Sequence, residues 1–360
     1  RRIGTSVSCA RCCFRSRLGR ADMDRVLLFG ATGFLGRAAG AALRDDPRVL
    51  EVVTVGRRPV PGTRWIRHDL VSDPTSALTR LLAETTPDAV VNCAGRLSGS
   101  YSDLVAANTG AVASLVDAVL ASTPKARLVT LGSAAEYGVV KPGERIRETD
   151  PAIPVSGYGV TRLAATQLVE LAARGGDLDA VVLRVFNPVG PGLPEHNLAG
   201  RAVRELHRAL DTGAGEIRMG PLGAYRDFVD VRDVASAVVA AVFAPRVPGM
   251  VCNVGSGTAV TCRTLVHLLA ETAGFAGTIT ECHPPSARSP GVDWIAADLG
   301  HTARVLGWSP RHGLAESAES TWAGGATDPG RQPPTSTGRH RSTPATSATE
   351  PTASTTVKRP

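Results

Sequence analysis

The 360-residue chain predicts an α/β fold, a doubly wound parallel sheet followed by a smaller C-terminal lobe. Three observations predict it. From Met23 onward, short apolar runs alternate with Ala-rich, Pro-free stretches, the strand-and-helix rhythm of a parallel sheet. The first apolar run, Val26 to Phe29, passes into the first helical stretch through Gly30, Ala31, Thr32, Gly33, Phe34, Leu35 and Gly36. After Asn187 the rhythm changes: Pro188, Gly190, Pro191, Gly192 and Pro194 make a rigid loop, and shorter elements follow.

The glycine stretch sets the context for the rest. Gly30 permits a tight turn, Gly33 lets backbone approach a pyrophosphate, and Gly36 lets the helix pack against the strand. The helix N-terminus offers unpaired N–H groups and roughly half a positive charge to the phosphates. This is a Rossmann-type beginning. Strands are expected at 26–29, 51–55, 65–68, 89–92, 127–132 and 180–185. Helices are expected between them, at about 34–44, 74–84, 102–121 and 156–174. Beyond the Pro-rich loop follow a helix near 197–211, a strand at 216–219, a helix at 232–243, a strand at 251–254 and a helix at 262–273. The expected organisation is a disordered leader over 1–22, an NAD(P)-binding domain over 23–186, a substrate-binding lobe over 187–322 with segments returning to the first domain, and a disordered tail over 323–360.

The net charge of +7 belongs to the ends. Between Met23 and Trp322 there are 29 basic and 30 acidic residues, so a nucleic-acid surface is not expected. No apolar run approaches the roughly 18 residues of a membrane span, and no membrane partner is expected. Seven cysteines, an odd number in a large chain, do not resemble a disulfide framework and fit a cytoplasmic protein. Cys9, Cys12 and Cys13 cluster without a second Cys or His pair, and no metal is expected. The Arg- and Ser-rich leader reads as sequence upstream of the true start at Met23, although a transit peptide has the same composition.

Seven ordered motifs then name a family: GATGFLG at 30–36, HDL at 68–70, NCAG at 92–95, GSAAEYG at 132–138, YGVTR at 158–162, RVFNPVG at 184–190 and YRDFVDVRD at 225–233. With them the chain resembles the extended short-chain dehydrogenases/reductases, also called the NAD-dependent epimerase/dehydratase family. Within that family it is most like nucleotide-sugar enzymes of the GDP-4-keto-6-deoxymannose reductase type. The resemblance implies that Gly30, Thr32, Gly33, Phe34, Leu35, Gly36, Asp69, Leu70, Asn92, Ala94, Gly95 and Asn108 bind the dinucleotide, with Asp69 at the adenine. The second strand ends without the acid that holds a ribose 2′-hydroxyl. Arg57 and Arg58 stand there and suit a 2′-phosphate, so NADP(H) is favoured and NAD(H) remains open.

Tyr158 and Arg162 lie four apart on one helix face. The resemblance makes Tyr158 the proton donor or acceptor, Ser133 the hydroxyl holding the substrate oxygen, and position 162 the cation that holds the ribose and favours the phenolate. Lysine is usual at that position and arginine stands here, bulkier and planar. A second departure concerns the acids that 4,6-dehydratases carry just after the catalytic hydroxyl. Ala134 and Ala135 occupy those places, and Glu136, one position later, is expected to point elsewhere, which disfavours dehydration. On the substrate side, Asn187, Asn197 and Arg226 resemble diphosphate-contacting residues, with Arg288 as a second cation. Asp230 and Asp233 are read as helix caps, and His207 and His267 as packing residues on apolar helix faces.

The expected function is an NADPH-dependent reductase of a nucleotide-linked 4-keto-6-deoxysugar, acting as a homodimer. Two alternatives stay open: an NAD-dependent nucleotide-sugar 4-epimerase, and a non-catalytic protein that senses NADP(H).

Overall fold

A computed structural model describes residues 23–245, 250–282 and 291–325. The leader, the tail beyond residue 325, the Cys9–Cys13 cluster and Arg288 lie outside the described residues.

Seven strands form one sheet: β1 (Met23–Phe29), β2 (Val49–Gly56), β3 (Arg64–Arg67), β4 (Ala89–Asn92), β5 (Arg127–Ser133), β6 (Asp179–Val185) and β7 (Met250–Val254). Their order is β7-β6-β5-β4-β1-β2-β3, and every neighbouring pair is parallel. The inner strands are mainly apolar because both faces are covered, whereas the edge strand β3 reads Arg-Trp-Ile-Arg with exposed ends. Along β1, Val26 and Leu28 enter one core layer while Leu27 and Phe29 enter the other, the two-residue period of a strand.

Nine helices of seven residues or more occur among the described residues. They are α1 (Phe34–Asp45), α2 (Thr75–Thr85), α3 (Tyr101–Ser122), α4 (Gly157–Arg174), α5 (Leu198–Thr212), α6 (Val231–Phe243), α7 (Cys262–Thr272), α8 (Gly300–Leu306) and α9 (Leu314–Ala323). One face of the sheet carries α1 and α6, packed on each other through Ala39, Leu43, Val234 and Val238. The opposite face carries α2, α3 and α4, whose Leu82, Leu115 and Val169 are fully or almost fully buried. Trimming one such leucine to alanine costs about 2–5 kcal/mol. A separate apolar cluster joins α5, α7 and α9 around Ile217, Met219 and Phe228. Although β7 and α6 follow Asn187 in the chain, both return to the main sheet.

The expected strands and helices fall within a few residues of these. Unforeseen were strand pieces of two to four residues, such as Pro188–Val189 beside Val229–Asp230 and Tyr225–Asp227 beside Ala259–Thr261. They are too short to show a period. The expectation about apolar runs needs correcting: Tyr101–Ser122 is 22 residues long and by length and composition alone would cross a membrane. It is apolar because it packs between α2 and α4, with Leu115 and Val119 fully buried. A π-helical turn, Val105–Gly110, interrupts it.

At the far ends of β5 and β6 lies a fully buried Arg127. It donates to both carboxylate oxygens of Asp179, at 3.0 and 3.1 Å, and to the Ala241 carbonyl at 2.9 Å, fastening the sheet to the end of α6. Removing one partner of such a pair strands a charge in the interior.

Candidate active site

The site lies at the C-terminal edge of the sheet, where β1 and β4 diverge and their crossovers leave on opposite faces. Gly30 has φ +74°, and a Cβ there would stand 2.5 Å from the Ala94 nitrogen. The glycine turn therefore rests directly on the end of β4. At Gly36 a Cβ would overlap the Gly30 carbonyl, so α1 starts hard against its strand. Gly33 is the N-cap of α1, and the first turn has neither a side-chain cap nor an acid, which leaves its N–H groups and dipole for an anion. Thr32, Phe34 and Leu35 flank this cradle at the surface or half-buried.

At the end of β4, Asn92 is buried and its Oδ1 accepts from the Ala94 N–H at 3.0 Å, shaping the turn that leads to Gly95. Asp69 and Leu70 sit at the turn after β3. One Asp69 oxygen accepts from Val71 N–H, and Leu70 packs beneath against the core. His68 is buried, which holds its imidazole below its usual pKa against the pull of Asp73 and Asp69, so it stays neutral there. Arg57 and Arg58, just past β2, are exposed and make no ion pair with any described residue. These features fit a dinucleotide: an uncapped helix start, a glycine cradle, and two exposed cations just past the end of β2.

Ser133 ends β5. Its Oγ accepts from Ala135 N–H at 3.2 Å, leaving the hydroxyl hydrogen to donate elsewhere. Behind it lies a chain of buried polar groups that sequence reading missed. Glu136, fully buried, accepts from the Ser133 N–H at 2.8 Å and from Arg184 Nε at 2.7 Å. Arg184 also donates to the Tyr137 hydroxyl at 3.1 Å, which donates to Asn253 Oδ1 at 2.6 Å. Burial pushes the Tyr137 phenol far up, so it stays protonated and out of acid–base work. Glu136 is thus spent on the frame beneath Ser133, as its position relative to the strand end suggested.

Tyr158 is half-buried near the start of α4, whose N-cap Ser156 accepts from Gly159 N–H at 3.2 Å. A Cβ on Gly159 would reach the Ala135 carbonyl, so the helix start is pressed against the loop after Ser133. That contact sets the first turn of α4, which carries Tyr158, against the loop that follows Ser133. Arg162, one turn on, is 8% exposed; its Nη1 donates to the Leu131 carbonyl at 3.1 Å, and its Cζ lies 5.5 Å from the Tyr158 ring centre. Its Nε is buried without a hydrogen-bond partner, an orphaned donor of the kind a ribose hydroxyl satisfies. Cys93 beside it is inert, because burial pushes its thiol up to about 12 despite the arginine.

Three expectations require correction. Asn108 is fully buried and does not reach the cradle: its amide bonds the Arg96 N–H at 2.8 Å, the Arg96 carbonyl at 2.9 Å and Thr161 Oγ1 at 3.1 Å. Its side chain latches the loop after Gly95 to α4. His267 is exposed, because the apolar side of α7 is carried by Leu265, Val266 and Leu269, whereas His207 does pack, stacked on Trp322 at 4.1 Å. Asp230 caps α6, accepting from Arg232 N–H, but Asp233 accepts instead from the N–H groups of Arg311 and His312 and ties down the C-terminal segment.

Across the cleft, Asn187 Nδ2 donates to the Asp227 carbonyl at 2.9 Å, which places it one residue from Arg226. Arg226 itself donates to the Tyr225 and Val292 carbonyls and pairs with no carboxylate among the described residues. Asp227 is fully buried and accepts from the N–H groups of Ser256, Gly257 and Ala297, which fixes this strand. Asn197 is half-buried at the N-cap of α5, on a different element from that pair. Arg37, also unforeseen, bridges the two sides: its guanidinium donates to the Thr32 carbonyl at 2.9 Å and the Gly192 carbonyl at 3.1 Å. No group of three or more metal-ligating side chains occurs among the described residues.

A doubly wound sheet with a glycine cradle at its switch point and a Ser–Tyr–cation set beside it defines an NAD(P)-dependent oxidoreductase. Residues 26–255 match the NAD dependent epimerase/dehydratase family. The dTDP-6-deoxy-L-talose 4-dehydrogenase (NAD(P)(+)) of Kitasatospora kifunensis is 40% identical over 311 residues, covering 85% of this chain and 96% of that one. The GDP-6-deoxy-D-mannose reductase of Pseudomonas aeruginosa is 27% identical over 301 residues, covering 82% and 94%. Among solved structures, MoeE5 in complex with UDP-glucuronic acid and NAD superposes with a TM-score of 0.72 at 30% identity, over 83% of this chain and 97% of that chain. The chain belongs to the NAD-dependent epimerase/dehydratase family of extended short-chain dehydrogenases/reductases.

Proposed function

We propose that the protein is an NADPH-dependent reductase of a nucleotide-linked 4-keto-6-deoxysugar, with a dTDP or GDP sugar as substrate. The observation that carries this is the composition of the loop after Ser133. Ala134 and Ala135 bring no acid to the sugar, and Glu136 is committed to Arg184 and the Ser133 N–H. Without an acid–base pair for eliminating water, the remaining groups serve transfer at a carbonyl. One relative, 40% identical and matched over 96% of its length, is a 4-dehydrogenase of a 6-deoxysugar nucleotide, the same chemistry in reverse.

NADPH, when bound, supplies the hydride to C4. Ser133 holds the carbonyl oxygen by its free hydroxyl hydrogen. Tyr158 donates its phenolic proton to that oxygen as the alkoxide forms. Arg162 stabilises the tyrosinate left behind and holds the ribose hydroxyl through Nε. Arg226 and Asn187, in the lobe beyond residue 187, hold the sugar diphosphate. Arg57 and Arg58 hold the 2′-phosphate by charge-assisted bonds. We also propose a homodimer through α3 and α4, where Tyr101, Val105, Val160 and Leu171 expose apolar side chains.

The test is a titration of the purified chain with NADPH and NADH, followed by stopped-time product analysis with dTDP- and GDP-4-keto-6-deoxyhexoses. Tighter NADPH binding and stoichiometric NADPH oxidation are expected. Protein that purifies with NAD⁺ bound, or that interconverts 4-hydroxyl epimers without consuming reductant, would instead be an epimerase. Cofactor binding with no turnover of any sugar nucleotide would favour a sensor.

A further inference from the structure

Gly95 stands on the exposed turn after β4, and nothing in its backbone requires glycine. It is absent from the residues with positive φ, so an L side chain would be accepted without strain. It does not press on backbone either, as Gly30 and Gly36 do. What a Cβ at Gly95 would meet is the head of Arg162: it would overlap Nη2 and stand 2.8 Å from Cζ and 3.1 Å from Nη1. That head sits at the end of a flexible side chain and can shift, but only by giving up the Leu131 carbonyl and its place behind Tyr158. It is buried, hangs from the Leu131 carbonyl by Nη1, and has no carboxylate within 4.0 Å among the described residues to hold it elsewhere. Its seat is defined by three things: the Leu131 carbonyl, the Tyr158 ring 5.5 Å away, and the room that glycine leaves at position 95.

We propose that Gly95 is a positioning residue for Arg162, the clearance that lets arginine serve where this enzyme class uses lysine. A guanidinium is a planar fork wider than an ammonium, and it needs a flat slot beside the strand end. A tapering lysine does not fill that slot. With alanine at 95, the guanidinium must swing off Leu131 and away from its place behind Tyr158, while Tyr158 and Ser133 keep their own anchors. The inference rests on the oxidoreductase reading above, in which Arg162 acts on Tyr158 and the cofactor ribose.

The experiment is a four-protein cycle of the full chain: wild type, Gly95→Ala, Arg162→Lys, and the two combined. Three quantities are measured for each: the NADPH dissociation constant by fluorescence, kcat and KM for the 4-keto sugar nucleotide, and the thermal midpoint. Gly95→Ala is expected to lower kcat about tenfold or more beside Arg162, with a smaller change in KM, and to lose most of that penalty in the Arg162→Lys background. Equal penalties in both backgrounds would overturn the proposal, because alanine would then obstruct something other than the guanidinium. So would no penalty in either. Should Gly95→Ala fold only when combined with Arg162→Lys, the proposal stands; failure of both to fold counts against it. If the wild type reduces no sugar nucleotide, the substrate reading fails on its own, and the same cycle read in NADPH affinity still decides whether 95 and 162 are coupled.

Discussion

At the scale of single residues, the site divides into groups that touch the reaction and groups that hold them. In the proposed mechanism Tyr158 belongs to the first. Tyr158→Phe keeps the ring against Arg162 and removes only the proton, so kcat is expected to fall about 10²–10⁴-fold while NADPH affinity changes little. Single-turnover kinetics beside a binding titration checks this, and a parallel loss of affinity would mean the hydroxyl positions cofactor instead. The places of the glycine turn and of Ser133 were legible in the sequence because each stands at the end of an apolar strand run, and Tyr158 because it opens a helical stretch four residues before Arg162. Glu136 was half legible: its distance from Ser133 excluded it from the sugar, but its partner Arg184 lies 48 residues away and no local pattern joins them. Asn108 was misread for the same reason, since what fixes its amide is Arg96 and Thr161, 12 and 53 residues off.

At the scale of elements, the π-turn in α3 is what turns that amide inward. An extra residue in the turn shifts the helix register, so Asn108 faces α4 and the loop after Gly95. Asn108→Ala takes the amide from the Arg96 N–H and carbonyl, while the Thr161 hydroxyl keeps its bond to the Tyr158 carbonyl, and is expected to cost about 1–3 kcal/mol. Urea unfolding measures the loss. NADPH binding should weaken with it, because the loop after Gly95 is no longer pinned. The larger elements were legible: β1, β4 and β6 have apolar runs bounded by turns, and α1 begins at a glycine fingerprint. The three-residue ladder at Tyr225–Asp227 was not, because its cause is Asp227, a carboxylate that gathers N–H groups from residues 256, 257 and 297.

For the whole molecule, the C-terminal segment matters out of proportion to its length. Asp230 accepts from Ser317 Oγ at 2.7 Å and from Arg232, so it caps α6 and clasps α9 at once. Burial pushes this carboxyl up, but the bonds from Arg232 and Ser317 outweigh it and hold the group below the usual carboxylate range. A depressed folded pKa means its stabilisation is complete above the unfolded value of about 3.9 and is lost as pH falls through the folded one. The thermal midpoint should therefore drop on acidification below about pH 4, and Asp230→Asn should flatten that part of the drop. An unchanged slope in the variant would assign the loss to other carboxylates. The proposed homodimer is tested at this scale too. Light scattering should give twice the chain mass, and Leu171→Glu, placing a charge on the exposed α4 surface, should shift it toward monomer.

The Arg37 bridge carries a consequence for kinetic order. One guanidinium spans the Thr32 and Gly192 carbonyls, so the glycine loop proposed to receive the pyrophosphate also braces the Pro-rich loop leading to the proposed sugar side. Filling the first steadies the second, and the enzyme should follow a compulsory sequence, dinucleotide before sugar nucleotide. Product-inhibition patterns would display that sequence. Arg37→Ala should turn it random and raise the sugar-nucleotide KM more than the NADPH dissociation constant.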